Sequence, residues 1–447
     1  MRIFGRLMLA GLIVCVALQV FRPGIPAKPP TAEPHTPPAV KQVLEKDCYS
    51  CHSDERRLSW FDQIVPAYWL VRHDVLTARG HLNFSTLGAK PAAGQKATLY
   101  EAVNMVQLGA MPLPQFLKLH PEARVTPEEL ATLKGYLAPW TPPLQPSASA
   151  QPSGADTRAP IALTKVQPEL NGLEFDASFE SWMPLSTTDR GDNNTFRFIL
   201  GNSVAVKAAQ TGDISPWPDG ARFAKIAWQQ EAGPDGLVHP GKFIQVELMV
   251  KNARNYKDTE GWSWGRWRGL DLKPYGNDAH FVNECTGCHR PLRGNDYVYT
   301  LPITTATVPG AEVVNNAAAA AVVAADLPHQ PLGWGAITMY VDPKTHTTAT
   351  LYGNDAAMEA VEARRSAPTY ANGAVLALVT WAQRDDPHWF GARIPDRPLS
   401  VEFVETSGQQ PVYRRFSGAG FTGDEVAPNV ATQRTEFILG LTPASLP

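Results

Sequence analysis

The sequence predicts a multidomain protein in which a small all-α domain, residues 39–140, precedes two antiparallel-sheet α+β domains, residues 165–305 and 306–447. Three observations lead to this prediction. Segments rich in Pro, Ser and Ala divide the chain, the first domain has helical periodicity, and the remainder consists of short alternating strands whose pattern recurs. A chain of 447 residues also exceeds what one hydrophobic core usually supports.

The composition is that of an ordinary globular protein, with 44% hydrophobic and 19% charged residues. The formal net charge of -3 is small for this length, and no basic patch stands out. Since nucleic-acid binding usually leaves a basic footprint, we expect no nucleic-acid partner.

The N-terminus indicates export. Arg2 and Arg6 precede an uncharged run from Leu7 to Phe21, which has the arrangement of a signal peptide. These fifteen residues are few for a membrane span, and no clear small-x-small cleavage site follows. Two alternatives stay open: a cleaved signal with a soluble periplasmic product, or a retained membrane anchor. Both predict a location outside the cytoplasm.

Two segments are predicted to be spacers. The first, "FRPGIPAKPPTAEPHTPP", completes an N-terminal region of residues 1–38. The second, "TPPLQPSASAQPSGADTRAP", starts at residue 141 and defines a linker over residues 141–164. Such composition has no periodicity and cannot bury a core, so both are expected to be semi-extended.

The first domain contains two clear helical patterns. "GQKATLYEAVNMVQLG", from residue 94, places its apolar residues on one stripe. "VTPEELATLKGYL" has Thr126 as the cap, Pro127 at the first helical position and Glu129 completing a capping box. An all-α domain is therefore predicted.

An internal repeat is predicted downstream. "ILGNSVAVKAA" from residue 199 matches "LYGNDAAMEAV" from 351, and "DGARFAKIAWQQ" from 219 matches "NGAVLALVTWAQ" from 372. "FIQVELMVK" from residue 243 likewise matches "PLSVEFVET" from 398. Order, spacing and residue type coincide, which predicts two copies of one antiparallel sheet domain.

Four of the five cysteines lie in two copies of one pentapeptide, Cys-x-x-Cys-His. This is the attachment signature of c-type haem, in which both thiols bond to the porphyrin and the histidine binds iron. The copies comprise Cys48, Cys51 and His52, and Cys285, Cys288 and His289. A shared zinc would need two domains on a flexible linker to build one site, and two disulfides would leave both histidines unexplained. We therefore predict two covalently bound c-type haems.

The first haem needs a sixth ligand or an open face. Met111, in the Gly/Pro-marked loop "LGAMPLPQF", is our candidate, as in methionine-ligated cytochromes c. The alternatives are a core methionine that fills a gap, or histidine ligation by His73, His81 or His120. Met105 lies off the apolar stripe of its helix and is a weaker candidate. The first domain is thus expected to be cytochrome c-like.

Several segments resemble the cytochrome P-460 family. They are "SWMPLSTTDRGDNNTFRFILGN", "PWPDGARFAKIAW", "FIQVELMVKNARNYKDTEGWSWGRW" and "ECTGCHRP", within residues 170–300. The second copy resembles the family more faintly. The region around "CYSCHSDERRLSWFDQIVPAYWLV" and "HLNFS" is similar to a small haem-binding domain of exported cytochromes.

The resemblance implies an antiparallel fold, often a homodimer, with one c-type haem held by histidine and open on its other side. Members of the family oxidise hydroxylamine with a haem cross-linked to a lysine. Relatives without the cross-link, the cytochromes c′-beta, bind nitric oxide and similar small molecules.

Lys225 is the residue that bears most on this choice. In "ARFAKIAW" the alternation of a strand puts Phe223, Lys225 and Ala227 on one face, and the second copy has Leu378 in place of the lysine. A buried lysine is costly unless it is paired or reacted. We interpret Lys225 as contacting the haem or cross-linked to it; the alternative is a lysine whose amine reaches solvent from an edge strand.

Glu247 is the candidate catalytic base, because hydroxylamine oxidation releases protons. Glu402 occupies the matching place in the copy without a haem motif, which favours a structural role instead. Phe243 and Met249 share the predicted face of Glu247 and are expected to wall the pocket.

Arg290, directly after His289, is a candidate to bind a haem propionate; the alternative is that its side chain is solvated. "GWSWGRW", from residue 261, is interpreted as a turn that serves packing.

We therefore expect an exported dihaem cytochrome. Its second haem would oxidise hydroxylamine or nitric oxide, and its N-terminal haem would pass electrons to an external acceptor such as another cytochrome. The alternative from another class is a non-enzymatic protein that transfers electrons or binds nitric oxide. Reduction of peroxide at the open haem is a third reading.

Overall fold

A computed structural model describes residues 11, 13–138, 163–309, 312–324, 326–363, 368–408, 410–418 and 420–446. The chain forms two compact units, Met1–Trp140 and Thr141–Pro447. The boundary coincides with the start of the predicted 141–164 linker, which up to residue 162 lies outside the described residues, as do the first ten residues of the predicted export signal. No described helix has the length and apolar character needed to cross a membrane.

The first unit is helical, as predicted. Its helices are α1 (Pro38–Asp47), α2 (Tyr49–His52), α3 (Ala67–His81), α4 (Phe84–Leu87), α5 (Ala92–Gln107) and α6 (Pro127–Leu137). The predicted capping box starts α6: Glu129 N donates to Thr126 Oγ1 at 3.2 Å, and Thr126 N donates to Glu129 Oε2 at 2.8 Å. Leu133 and Leu137 of this helix are buried.

The segment 21–38 is not the free spacer that its composition predicted. Thr31 N and Ala32 N both donate to Ser85 O, at 3.0 and 2.9 Å, and Gly88 N donates to Ala32 O at 2.8 Å. An extended chain without apolar periodicity still offers backbone groups that can pair with neighbouring loops. The prediction was wrong because composition reports on core burial and not on such pairing.

The second unit is built on antiparallel strands. Its strands are β1 (Met183–Arg190), β2 (Thr195–Gly201), β3 (Arg222–Ala232), β4 (Val238–Lys251), β5 (Trp262–Arg268), β6 (Lys273–Pro274), β7 (Gly335–Asp342), β8 (Thr347–Gly353), β9 (Val375–Asp385), β10 (Ala392–Glu405), β11 (Val412–Ser417) and β12 (Thr422–Gly423). Its helices are α7 (Ser203–Thr211), α8 (Val282–His289), α9 (Asn316–Ala324), α10 (Asp355–Ala363) and α11 (Pro428–Gly440).

Eight of these strands close into a ring. β1 to β4 pair in chain order, and β7 to β10 pair in the same way. The ring is completed where β4 pairs with β7, at Val238 and Val341, and where β10 pairs with β1, at Asp189 and Arg393. Both predicted sheet domains therefore lie in one compact unit and share one sheet.

The two halves of the ring have the same construction. Strands of 8, 7, 11 and 14 residues follow one another in each half, with a nine-residue helix between the second and third. At both junctions, the last strand of one half meets the first strand of the other. Strand β10 thus pairs directly with β1, in the half that carries the Cys-x-x-Cys-His motif.

The strands bury both faces of the sheet. Ala224, Ile226 and Trp228 of β3 belong to one core, whereas Phe223 belongs to another, together with Met249. Phe243 lies in the first core and not beside Glu247, so that expectation was wrong. A bulge is the reason: Ala227 pairs with Gln245 but Trp228 pairs with Phe243, which reverses the alternation along β4.

Asp189 links the two halves at one junction. Its Oδ1 accepts a hydrogen bond from Gln230 Nε2 at 2.6 Å, and its Oδ2 accepts one from Gln383 Nε2 at 3.0 Å. We expect Asp189→Ala to lower the free energy of unfolding by about 1–3 kcal/mol in denaturant titrations, because both amides lose an acceptor. The control is Asp385→Ala, whose side chain is 95% exposed and which should change stability by less than about 0.5 kcal/mol. Equal effects of the two substitutions would contradict this role.

Candidate haem sites

The second Cys-x-x-Cys-His motif lies on α8, whose last residue is His289. Cys285 and His289 are four residues apart, and Cys288 adjoins His289, so one helical turn presents all three side chains together. Cys285 packs against the sheet face that holds Ile199, Phe223, Met249, Trp262 and Trp264. All five cysteines lie within the described residues, and no disulfide joins any two of them there, so neither motif pair forms the alternative disulfide.

His289 is oriented as an iron ligand would be. Its Nδ1 lies 2.7 Å from Tyr297 O, and a carbonyl oxygen only accepts, so Nδ1 carries the hydrogen and Nε2 is left for a metal. Burial lowers the pKa of His289 to about 4, which keeps the imidazole in its neutral, metal-binding form. The ring packs edge-on against Tyr299, with centroids 5.0 Å apart.

The second half of the ring supports this site. Tyr299 donates its hydroxyl to Cys288 O at 2.7 Å, while its own carbonyl oxygen lies 2.7 Å from His388 Nδ1. The ring of Trp389 lies 5.7 Å from that of Tyr299. His388 and Trp389 belong to the connection between β9 and β10, so a loop of the half without the motif braces the tyrosine that packs on His289.

A charged row crosses the sheet face beside α8. In register across four strands stand Ile199, Lys225, Glu247 and Arg266. Lys225 Nζ forms an ion pair with Glu247 Oε2, and Arg266 Nε lies 3.2 Å from Glu247 Oε1. The side chains of Lys225 and Glu247 are only 29% and 18% exposed. The structure therefore brings together the two residues that the sequence singled out, and adds an arginine.

The electrostatics of the row separate the two candidate roles. Burial lowers the pKa of Lys225 to about 8, against the opposing attraction of Glu247. Burial would raise the pKa of Glu247, but Lys225 and Arg266 outweigh it and hold that pKa at about 2. A catalytic base works best with a pKa near the working pH. The ion pairs and the low pKa thus favour Glu247 as the counter-ion of Lys225 and Arg266, whereas the pKa of Lys225 lies closer to neutrality than that of an ordinary lysine.

The matching face of the second half is filled by the protein itself. Glu402 pairs in register with Leu378 and Arg415. The side chain of Arg434, on α11, reaches both carboxylate oxygens of Glu402 at 2.8 Å. Ile438 of the same helix is buried in one cluster with Leu378. Glu402 therefore has a structural partner that needs no haem, which agrees with the structural interpretation of this position.

Arginines other than Arg290 line the site. Arg290 is 55% exposed and lies 3.5 Å from Glu260 Oε1, so the geometry matches the alternative of a solvated arginine.

Residues 262–268 form strand β5 and not the predicted turn. The signal that could have shown this is the alternation Trp262, Trp264, Arg266, which places all three on the face next to α8.

These residues fit a haem. Arg197 Nε and Trp264 Nε1 are buried donors without a hydrogen-bond partner among the described residues. Burial also lowers the pKa of Arg197, to about 9. The ring of Trp264 lies 5.7 Å from that of His289. A haem held by α8 has two carboxylates, which are the acceptors that such unpaired donors need.

The first motif lies at the junction of α1 and α2. His52 Nδ1 lies 3.0 Å from Leu82 O, which again leaves Nε2 for a metal, and burial lowers the pKa of His52. Tyr49 and Phe84 stack beside it, with centroids 5.1 Å apart. Cys51 packs against a buried apolar cluster formed by Ile25, Val65, Tyr68 and Val75.

One histidine alternative for the sixth ligand is disfavoured. His120 is buried with Nε2 2.9 Å from Asp62 Oδ1 and Nδ1 3.2 Å from Glu122 Oε1. Both of its ring nitrogens are thus engaged, while His73 and His81 are exposed. Met111 is half-buried in the loop between α5 and α6 and stays our predicted ligand.

Two family models match the chain, and together they confirm the suspected resemblances. Residues 12–139 match the family described as Haem-binding domain. Residues 176–300 match Cytochrome P460. These matches support a haem cytochrome. The first includes the segment 21–38 that the structure packs on the helical unit, and neither extends past residue 300. No curated protein matches the chain.

The number of haems is a testable prediction. Replacing Cys285 and Cys288 with Ala should reduce the covalently bound haem from two per chain to one, measured as the pyridine haemochrome of denatured protein. Cys15→Ala, which alters the cysteine outside both motifs, should leave two. One haem or none in the unaltered protein would contradict the dihaem prediction.

The role of Met111 is testable as well. Met111→Ala should open the first iron, so that it binds carbon monoxide and its reduction potential falls, because a thioether ligand raises the potential. Met105 is half-buried near the end of α5, and Met105→Ala is the control that should leave both properties unchanged. An unchanged spectrum after loss of Met111 would show that another ligand binds this iron.

Proposed function

We propose that the protein is an exported dihaem c-type cytochrome that oxidises hydroxylamine or nitric oxide at its second haem. Electrons would leave through the N-terminal haem to an external acceptor such as another cytochrome. The observation that carries this proposal is the row of Lys225, Glu247 and Arg266 on the sheet face beside α8. The match of residues 176–300 to Cytochrome P460 supports it.

The haem, when bound, would supply an iron with one open position and a store for the electrons removed from the substrate. Cys285 and Cys288 would attach it, and His289 would hold the iron through Nε2 while Nδ1 stays bonded to Tyr297 O. The unpaired donors of Arg197 and Trp264 would take its carboxylates.

Lys225 has the chemistry that the family resemblance implies for a lysine bonded to the haem. With a pKa of about 8, roughly a tenth of its amine is neutral at pH 7, far more than for an ordinary lysine, and the neutral nitrogen is the nucleophile. Glu247 holds the amine in place on the sheet face. If Lys225 stays unbonded, the same pKa suits it to accept a proton from the substrate.

We propose further that residues 306–447 are a second P460-like domain without haem. The equal strand lengths and the matched junctions of the ring support this. It would serve as the built-in partner that a homodimer supplies in other members of the family. Its own site would be closed by Arg434 and α11, and His388 and Trp389 would support the site of the first half.

A second candidate function is a non-enzymatic cytochrome that transfers electrons or binds nitric oxide. The ion pair itself favours it, because Glu247 satisfies Lys225 without any bond to a haem. The two candidates agree on a location outside the cytoplasm, since attachment of c-type haem follows export. The cleaved signal and the retained anchor remain alternatives within both.

One substitution separates the two functions. Lys225→Met should abolish hydroxylamine oxidation and any red-shifted absorption band of the reduced protein, while both haems stay attached through their cysteines. Lys207→Met, at an exposed position on α7, is the control and should retain activity and spectrum. Peptide mapping of the unaltered protein should find the Lys225 peptide and the Cys285–His289 peptide joined through one haem.

The outcomes differ clearly. An unlinked Lys225 with full turnover would overturn the lysine mechanism but not the enzyme. An absence of turnover in the unaltered protein, with nitric oxide binding at the second iron, would establish the non-enzymatic alternative.

A further inference from the structure

The first unit carries an exposed apolar surface where its N-terminal segment meets the start of α3. The exposed fractions are 82% for Val20, 70% for Phe21, 75% for Trp60, 40% for Trp69 and 57% for Leu70, and we call these five residues the apolar patch. The indole Nε1 of Trp69 donates to Phe21 O at 2.9 Å, so the segment and the helix adjoin. Val20 and Leu70 are the chain neighbours of Phe21 and Trp69, so these four exposed residues meet at one place, and an exposed apolar surface of this kind indicates an interaction site.

The segment is held in place under the patch. The side-chain amide of Gln19 pairs with the backbone of Val65 in both directions, as Gln19 Nε2 donates to Val65 O at 3.1 Å and Val65 N donates to Gln19 Oε1 at 3.0 Å. Leu18 and Ile25 pack against the cluster that contains Val65 and Tyr68. The patch is therefore a defined surface built on the core of the unit.

Three arginines lie close to the patch, since Arg22 follows Phe21, Arg72 follows Leu70 by two residues, and Arg56 shares Gln63 with Arg22. Arg22 donates to Gln63 O at 2.9 Å, Arg56 donates to Gln63 Oε1 at 2.8 Å, and Arg72 donates to Gly24 O at 3.2 Å. These acceptors are uncharged, and none of the three guanidinium groups forms an ion pair within the described part of the chain. The surface thus combines tryptophan, aliphatic side chains and uncompensated arginine.

The chain that precedes the patch has the same character. Residues 13–18 are helical and expose Ile13, Val14 and Val16, and the run without charge continues back to Leu7, behind Arg6. Tryptophan and arginine beside an aliphatic surface are what the interface of a lipid bilayer favours, whereas an electron-transfer partner would be met by a smaller and more polar surface.

We propose that the apolar patch, with Arg22, Arg56 and Arg72, seats the first unit on the surface of an anionic lipid bilayer. The contact lies at the surface of the bilayer and adds to the membrane affinity of the uncharged run that precedes the patch. Cys51 packs on the same cluster as Leu18 and Ile25, so the first haem attachment site adjoins the lipid-facing surface. This inference does not depend on the chemistry of the second site.

The test uses the full-length protein and flotation with phosphatidylcholine vesicles that contain or lack phosphatidylglycerol. Leu70→Ser should weaken partition into both kinds of vesicle by about tenfold, because a half-buried leucine is lost from the contact. Leu170→Ser is the matched control: Leu170 is 47% exposed, lies in the second unit and should have no effect. Trp60→Ser should repeat the result of Leu70→Ser.

The arginines are tested separately. Changing Arg22, Arg56 and Arg72 to Gln should weaken binding about fivefold for each arginine on vesicles with phosphatidylglycerol, and should leave binding to phosphatidylcholine alone unchanged. Variants are compared by circular dichroism to confirm that they fold. Partition of Leu70→Ser equal to that of the unaltered protein would overturn the proposal, because the preceding residues alone would then bind the vesicles. A dimer that Leu70→Ser dissociates, without vesicle binding, would overturn it in favour of a second copy of the chain.

Discussion

The second site depends on one interaction, in which the carboxylate of Glu247 lies between the cationic side chains of Lys225 and Arg266. Three adjacent strands must keep their register for these charges to meet, and a slip of one strand by one residue would turn its charged side chain to the opposite face. A lone buried lysine is costly, and burial lowers the pKa of Lys225 to about 8; the ion pair with Glu247 opposes this shift and holds the charged amine on the face next to α8. The same row holds the pKa of Glu247 at about 2, which keeps the carboxylate ionised and makes it a weaker base than a group with a pKa near 7.

The second half of the ring has a carboxylate at the matching position and pairs it in another way. Leu378 stands where the first half has Lys225, and the carboxylate that remains, Glu402, is paired with Arg434 from α11. The helix fills the space over the sheet with Ile438. Such a face has no room left to be a second copy of the site. The second half instead supports the first: its β9–β10 connection contacts Tyr299, and its strands complete the ring.

The two motif histidines are oriented in the same way, although they lie in different units. His52 and His289 each direct Nδ1 at a backbone carbonyl, Leu82 O in one unit and Tyr297 O in the other, and burial lowers both pKa values. A backbone acceptor sets the tautomer and the ring orientation at once. The N-terminal segment plays a comparable part in the first unit, since it packs on the cluster that Cys51 contacts while it exposes the apolar patch.

The sequence by itself determined the features that depend on neighbours a few residues apart. These are the two Cys-x-x-Cys-His motifs, the capping box at Thr126, the unit boundary near residue 140 and the alternation that turned Lys225 inward. Only the tertiary structure decided the partners of those residues. Arg266 joins Glu247 across a strand pair, a bulge moves Phe243 to the other core, and the segment 21–38 packs on loops far along the chain. Register and bulges are set by partner strands distant in sequence, and no local pattern reports on them.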